Sequence, residues 1–288
     1  MEYVINLGIL FCIYGVLALS LNMVVGMTGL LSLGHAAFYG IGAYATAIVM
    51  TNFGINFFVS LGLGALINII VAYFVGRILS RFSGGYYAIV SAGLATIVYS
   101  LLLNCTGITN GPLGIFGIPK PVIFGLPIES NGEFLIMSLV ILAIVWSLYI
   151  YIDKSSYGRA LKAIRQDEEL ATVMGYPVTR FKNVIFLSSG VIAGVAGSLF
   201  ASYITFIDPS TFQMHESIFL FTIIIIGGLA SSLGSIVGAL FLLSLPEILR
   251  FIGLPYETAA QLQQIIYGLA LILIMVYKPR GLFGKYRM

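Results

Sequence analysis

Long apolar runs dominate the chain. After Glu2 no Asp, Glu, Lys or Arg occurs until Arg77, and at about 1.5 Å of rise per helical residue that stretch can cross a hydrocarbon core of about 30 Å roughly three times. The pattern predicts spans near 3–25, 30–50 and 55–76, then near 84–104, 134–152, 183–207 and 262–277. Between Ser217 and Leu249 the apolar sequence is interrupted by "GGLASSLGS". That stretch offers about 33 residues for two crossings, although one crossing takes roughly 20. The limb before Gly227 holds only about ten apolar residues, some 15 Å of helix. A broken hairpin whose turn lies within the membrane thickness is therefore expected, and backbone there is tolerated only against protein or a water-filled cavity. One long kinked helix is the other reading of this stretch.

Composition narrows the class. Of 288 residues 59% are hydrophobic and 9% charged, with a mean hydropathy of +1.05, whereas soluble domains are about a quarter charged. The expectation is an all-α, polytopic integral membrane protein forming one transmembrane domain over 1–288. Met1 and Glu2 lead straight into apolar sequence, so the start reads as a retained span and not as a removable signal. Cys12 and Cys105 have neither pairing nor metal spacing and read as packing residues.

The net charge of +3 is a topology signal and not a nucleic-acid footprint. Twelve of the 14 basic residues fall into three clusters: Arg77 and Arg81; Lys154, Arg159, Lys162, Arg165, Arg180 and Lys182; Lys278, Arg280, Lys285 and Arg287. The positive-inside rule puts all three in the cytoplasm. The segments Cys105–Glu133, Asp208–Glu216 and Phe251–Gln261 then lie outside, and parity gives about nine crossings with the N-terminus outside and the C-terminus inside.

Two glycine-rich stretches share a weak pattern, Gly29-Leu-Leu-Ser32-Leu-Gly34 and Gly228-Leu-Ala-Ser-Ser232-Leu-Gly234, each followed by a Gly-Ala pair. Broken helices at corresponding places in two halves point to a permeation path, which makes Gly29, Ser32, Gly34, His35, Gly227, Gly228, Ser232 and Gly234 its candidate residues. His35 has two readings, a histidine satisfied inside the protein or a polar lining residue of a cavity. Gly190-Val-Ile-Ala-Gly194 and Gly234-Ser-Ile-Val-Gly238 read as close helix-packing faces.

The polar segment 153–182 predicts two short helices. The second starts at Asp167, an N-cap followed by Glu168 and Glu169 in the first turn, and stops at Gly175 and Pro177. From spacing alone it is either a solvated loop at the membrane or a knob for a cytoplasmic partner. No phosphate-binding G-x-x-x-x-G-K-[ST] loop occurs, and no metal cluster or nucleophile with a base is evident, so the chain is not expected to be an enzyme.

The stretches "ALSLNMVVGMTGLLSLGHAAFYGIGAY", "GGYYAIVSAGLATIVYSLLLN" with "TNGPLGIFGIP", "YGRALKAIRQDEELATVMGYPVTRFKNVIF" and "IIGGLASSLGSIVGAL" resemble, in order, segments of LivM-type permeases of branched-chain amino acid ABC transporters. The resemblance covers nearly the whole chain. It implies a pore-forming subunit in the bacterial inner membrane, paired with a LivH-type permease, two ATPase subunits that bind ATP and Mg, and an extracytoplasmic binding protein; the chain itself would hold no cofactor. It also implies that Asp167, Glu168, Glu169, Ala171 and Gly175 form an ATPase-coupling helix, with Leu170 where an alanine is usual. Asn110, Gly111 and Gly114, in the outer loop 105–133, resemble a glycine-rich loop for binding-protein contact or outer gating, or a plain turn. Related permeases carry urea or short amides. An ion-driven secondary transporter and a membrane assembly subunit are the rival readings.

Overall fold

The computed structural model describes residues 2–123, 126–128 and 130–251, together with 262, 265–269, 272–273, 276–278 and 281–284. The chain folds into α1 (Glu2–Thr28), α2 (His35–Phe53), α3 (Phe57–Leu79), α4 (Gly84–Asn104), the one-turn α5 (Thr106–Thr109), α6 (Asn131–Lys154), α7 (Ser156–Gln166), α8 (Glu168–Val173), α9 (Val178–Ile204), α10 (Met214–Gly227) and α11 (Ser232–Phe251). Four two-residue strands, β1 (Ile115–Phe116), β2 (Val122–Ile123), β3 (Leu126–Pro127) and β4 (Phe206–Ile207), pair antiparallel as β1 with β4 and β2 with β3.

Pairwise contacts set the helix directions. Gly8 faces Leu135 and Gly15 faces Leu142, so α1 and α6 run parallel. His35 meets Ser189, Thr46 meets Ser198 and Met50 meets Ser202, so α2 runs parallel to α9. Asn68 lies at Gly194, Ala72 at Gly190 and Asn183 at Gly76, so α3 runs antiparallel to α9. One end of the bundle, the basic end, consequently gathers Arg77, Arg81, α7 and α8. The opposite end carries the two ladders. Exposed Ile70, Phe74, Ile97, Ile136 and Ile144 give α3, α4 and α6 apolar outer faces, while α1, α2 and α9 hold most of the buried core.

The Gly190–Gly194 face works as a packing face, seating α9 between α2 and α3. A side chain at Gly42 would run into the Gly194 backbone, and one at Gly194 into Asn68. Overpacking costs about 1–3 kcal/mol where neighbours yield, and backbone cannot yield. Gly42→Val is therefore expected to lose most of the folded, detergent-extractable protein. Gly62→Ala, with nothing within 4 Å of the added methyl, is expected to match the parent in thermal melting; equal melting of both variants would refute this packing account.

The nine crossings expected from the charges are not reproduced at that count. Among the described residues five helices are long and apolar enough to cross a membrane, α1, α3, α4, α6 and α9, and α10 with α11 form a pair bent by 118° that counts as up to one more. Two physical reasons separate the counts. The second expected span, α2, is long enough at 19 residues but is less apolar, carrying the buried polar residues His35 and Thr46. Helix α10 has 14 residues, about 21 Å, too short for a crossing. The bend excludes a single kinked helix over Ser217–Leu249. The expected span 262–277 lies largely outside the described residues.

Candidate functional site

The first break begins where α1 ends. Gly29 takes φ +75, a left-handed conformation that glycine adopts without steric cost, and helix resumes only at His35. Ser20, eight residues before Thr28, and His35 both bond Ser189. Residues 29–34 therefore double back beside the last ~12 Å of α1. Leu33 donates its backbone N–H to Ser91 Oγ on α4 at 3.0 Å, and Gly34 lies against the Ser91 carbonyl.

His35 is fully buried. Ser189 Oγ donates to the Ser20 carbonyl at 2.8 Å, so it accepts from His35 Nε2 at 2.6 Å; Nδ1 lies 3.5 Å from the buried Ser32 hydroxyl. The Ser189 contact places a proton on Nε2, and the Ser32 hydroxyl, able to donate or accept, completes the ring's partners. The ring ties α1, α2 and α9 together at the level of the first break.

The second break, between Gly227 and Ser232, packs on the same end of α1. Gly228 has φ +118 and Ala230 φ +57, and the turn is held by Asn22. The Asn22 amide donates to the Ser231 carbonyl at 3.1 Å and to Ser235 Oγ at 2.6 Å, and its Oδ1 accepts from the Ala230 N–H at 2.9 Å. Gly26, one turn further on, is where α1 and the Ala230 backbone touch. Gly234 and Gly238 pack α11 against Gly227 and the Ile223 carbonyl, while Ser232 is half-buried.

Both broken helices have their last carbonyls capped from the basic end. A helix leaves its last carbonyls without intrahelical donors and its C-terminus partially negative. The Arg165 guanidinium of α7 donates to the Gly26 carbonyl of α1, with its stem over Gly29. At α10, the N–H groups of Leu282 and Phe283 donate to the Ile226 and Gly227 carbonyls, each at 2.9 Å, and Gly228 lies directly on Gly284. Sequence reasoning missed Asn22, Arg165 as a cap and the Gly281–Gly284 segment. The one available signal was Asn22 itself, an amide within an apolar run.

Glu216 also differs from expectation. The sequence places Asp208–Glu216 beyond the membrane, yet Phe212 packs on Tyr39 and Tyr44, and Ser217 Oγ accepts from the Ala36 N–H at 3.0 Å. Ala36 sits 17 residues before the end of α2, about 25 Å down the bundle. Glu216 lies close to Tyr14. Among the described residues its Oε1 and the hydroxyls of Tyr39 and Tyr44 have no hydrogen-bond partners.

At the basic end, α7 and α8 follow the expected signals. Asp167 Oδ1 accepts from the Leu170 N–H at 2.9 Å, and Gly175 turns the chain at φ +86. Glu168 pairs with the buried Lys182 of α9, and Ala171 is buried beside Ile164 and Val178. These two contacts anchor α8 inward, which leaves Glu169, Leu170, Val173 and Met174 exposed. Tyr157 donates to the Phe181 carbonyl at 2.8 Å and stacks on its ring; burial pushes its phenol above the ordinary range. At the other end Asn110, Gly111 and Gly114 all have positive φ. They form a turn that delivers β1 to β4, where Phe116 stacks on Phe206. Phe116 and Leu113 stand exposed beside it. Among the described residues no three His, Cys, Asp or Glu side chains group as metal ligands.

A multi-pass helical bundle organised around two helix breaks, both gripped from one end, defines a membrane permease. Residues 3–275 match the family described as branched-chain amino acid transport system / permease component, and the chain belongs to that family. It is 33% identical to the high-affinity branched-chain amino acid transport system permease protein LivM of Salmonella typhimurium, and equally to that of Escherichia coli K12; each match covers 98% of this chain and 70% of the relative. It is 24% identical to the LivH permease protein of Salmonella typhimurium, over 94% of this chain and 91% of the relative. No solved structure matches the chain.

Proposed function

We propose that this chain is a pore-forming subunit of an ABC importer for branched-chain amino acids, with the basic end in the cytoplasm and the N-terminus outside. The observation that carries this reading is the link from α7 to the break after α1. A segment suited to a cytoplasmic motor holds, through Arg165, the end of a helix against which both breaks pack. ATP-driven closure of two partner ATPases would pull α7 and α8, and the two breaks would move as one between inward-open and outward-open packings. Residues Gly29, Ser32, Gly34 and His35 flank one moving segment and Gly227, Gly228, Ser232 and Gly234 the other. Glu216 with Tyr14 supplies polarity to an otherwise apolar route, which suits a substrate with an aliphatic side chain and an ammonium group.

The relatives named LivM and LivH support pairing with a second permease. An extracytoplasmic binding protein would meet the outer turn of Asn110, Gly111 and Gly114, where Leu113 and Phe116 stand exposed. The ATPases would take the exposed α8 face of Glu169, Leu170, Val173 and Met174; Asp167, Glu168, Ala171 and Gly175 shape that helix from behind. No cofactor is assigned to this chain, since ATP and Mg belong to the partner ATPases.

The test is co-purification with the ATPase and permease subunits encoded beside this chain, followed by ATP hydrolysis in liposomes with and without leucine-loaded binding protein. Stimulation by the leucine-loaded protein is expected. Stimulation only by a binding protein loaded with urea or a short amide would keep the mechanism and replace the substrate. ATP-independent uptake by the chain alone would return it to the secondary transporters. The double variant Glu169→Lys, Val173→Asp is expected to lose ATPase co-purification with membrane insertion unchanged; undiminished co-purification would remove α8 as the docking element.

A further inference from the structure

We infer that the groove between α3 and the start of α9 is a binding site for an anionic phospholipid of the leaflet at the basic end. The groove encloses about 660 Å³ and is lined by, among others, Tyr73, Arg77, Tyr176, Arg180, Val184 and Leu187. Its chemistry changes along the bundle axis. Helix α3 runs toward the basic end, so Tyr73 lies one turn, about 6 Å, deeper than Arg77. Helix α9 runs away from it, so Val184 and Leu187 lie about 6 and 10 Å deeper than Arg180. The cations are at the rim and the apolar side chains form the floor.

The two arginines are available for an anion. Both are exposed, and the salt bridges among the described residues join Lys162 to Asp153 and Lys182 to Glu168, leaving neither arginine an acidic partner. Arg77 Nη1 has a 3.5 Å contact to the Tyr73 hydroxyl. Arginine suits bidentate phosphate binding, and tyrosines are at home where headgroups meet hydrocarbon. Basic pockets between membrane helices on the cytoplasmic side are suited to anionic headgroups.

The occupant follows from what adjoins the floor. Ile70 and Phe74 on α3, both deeper than Arg77, and Val184 on α9 are exposed apolar side chains, so the deep part of the groove opens onto an apolar outer face of the bundle. A soluble partner reaching Arg77 and Arg180 would leave Val184 and Leu187 beyond its reach. A phospholipid covers both zones, with its phosphate between the arginines and an acyl chain over Val184 and Leu187.

The test uses the full chain in nanodiscs of phosphatidylcholine with and without phosphatidylglycerol, reading lipid retained on extraction by native mass spectrometry together with the melting temperature. Two arginines near a membrane surface correspond to roughly thirtyfold preference for the anionic lipid, falling about fivefold for each arginine removed. Arg77→Gln and Arg180→Gln are each expected to lower that preference about fivefold, and together to abolish it, while melting normally in phosphatidylcholine. Leu187→Trp, which keeps both cations but fills the floor, is expected to lose lipid retention too, and it covers the case in which an arginine variant does not fold. Equal retention of both lipids by the parent would overturn the inference. So would protection by inorganic phosphate matching that of phosphatidylglycerol, which would make the groove a free-anion site. Loss of ATPase co-purification with lipid preference intact in the arginine variants would assign the groove to a protein partner and equally overturn it.

Discussion

Replacing Asn22 with leucine is expected to abolish transport and to lower the melting temperature of the purified protein markedly. Asn22 uses its amide donor on Ser231 and Ser235 and its carbonyl on the Ala230 N–H. The Ser231 carbonyl keeps a backbone donor from Ser235, so the decisive loss falls on the Ala230 N–H, stranded in a buried turn. A stranded buried donor costs about 1–3 kcal/mol, and Ala230 already holds a left-handed φ of +57 that is unfavourable for a residue with a Cβ. Leucine also has no room, because the break touches α1 at Gly26. Asn22→Asp is expected to fall between parent and leucine variant, since it keeps the acceptor for Ala230 and loses the donors. Thermal melts and leucine uptake in proteoliposomes check the series. A leucine variant that melts and transports like the parent would show that the turn is held elsewhere.

The second large effect is expected at Arg165. Arg165→Met should leave subunit assembly intact while separating ATP hydrolysis from uptake: hydrolysis continues, and leucine accumulation falls by about tenfold or more. A hydrogen bond from a charged donor contributes roughly 1.5–3 kcal/mol, and the same cation lies at the negative end of α1. Losing an interaction of that size from one of two packings shifts their balance by about tenfold to a hundredfold. Arg165→Lys is expected to restore part of the coupling, because an ammonium still caps a carbonyl while lacking the guanidinium fork. The paired readout separates this role from a merely structural one, which would lower assembly and hydrolysis together. Normal accumulation in the methionine variant would break the proposed line from α7 to the helix breaks.

The sequence was most legible where one physical rule dominates. Apolar length alone marks α1, α3, α4, α6 and α9, since each must be long and uncharged to lie in lipid. Local capping chemistry marks α8: Asp167 is its N-cap and Gly175 its stop in the folded chain as in the pattern. The second glycine segment was legible as a break, because the limb before Gly227 is too short to cross. The first was suggested only by its weak likeness to the second, and its extent, residues 29–34, ran into the expected span 30–50. The crossing count was less legible. It assumed that every apolar stretch spans, and the folded chain does not bear that count out: α10 has 14 residues, and α2 carries buried polar residues.

What the sequence determined by itself is the class of molecule: an apolar helical bundle with one basic end, two interrupted helices and a capped surface helix, each the product of interactions within a few residues or with the solvent and the bilayer. Only the tertiary structure decided which groups meet. Ser20, His35 and Ser189 form one chain of hydrogen bonds, Asn22 reaches Ala230 across more than two hundred residues, and Arg165 finds the Gly26 carbonyl. Glu216 is drawn down the bundle because Phe212 and Ser217 find partners on α2. The physical reason is that a buried polar group must find a partner wherever the fold supplies one. No periodicity along the chain encodes the partner's address.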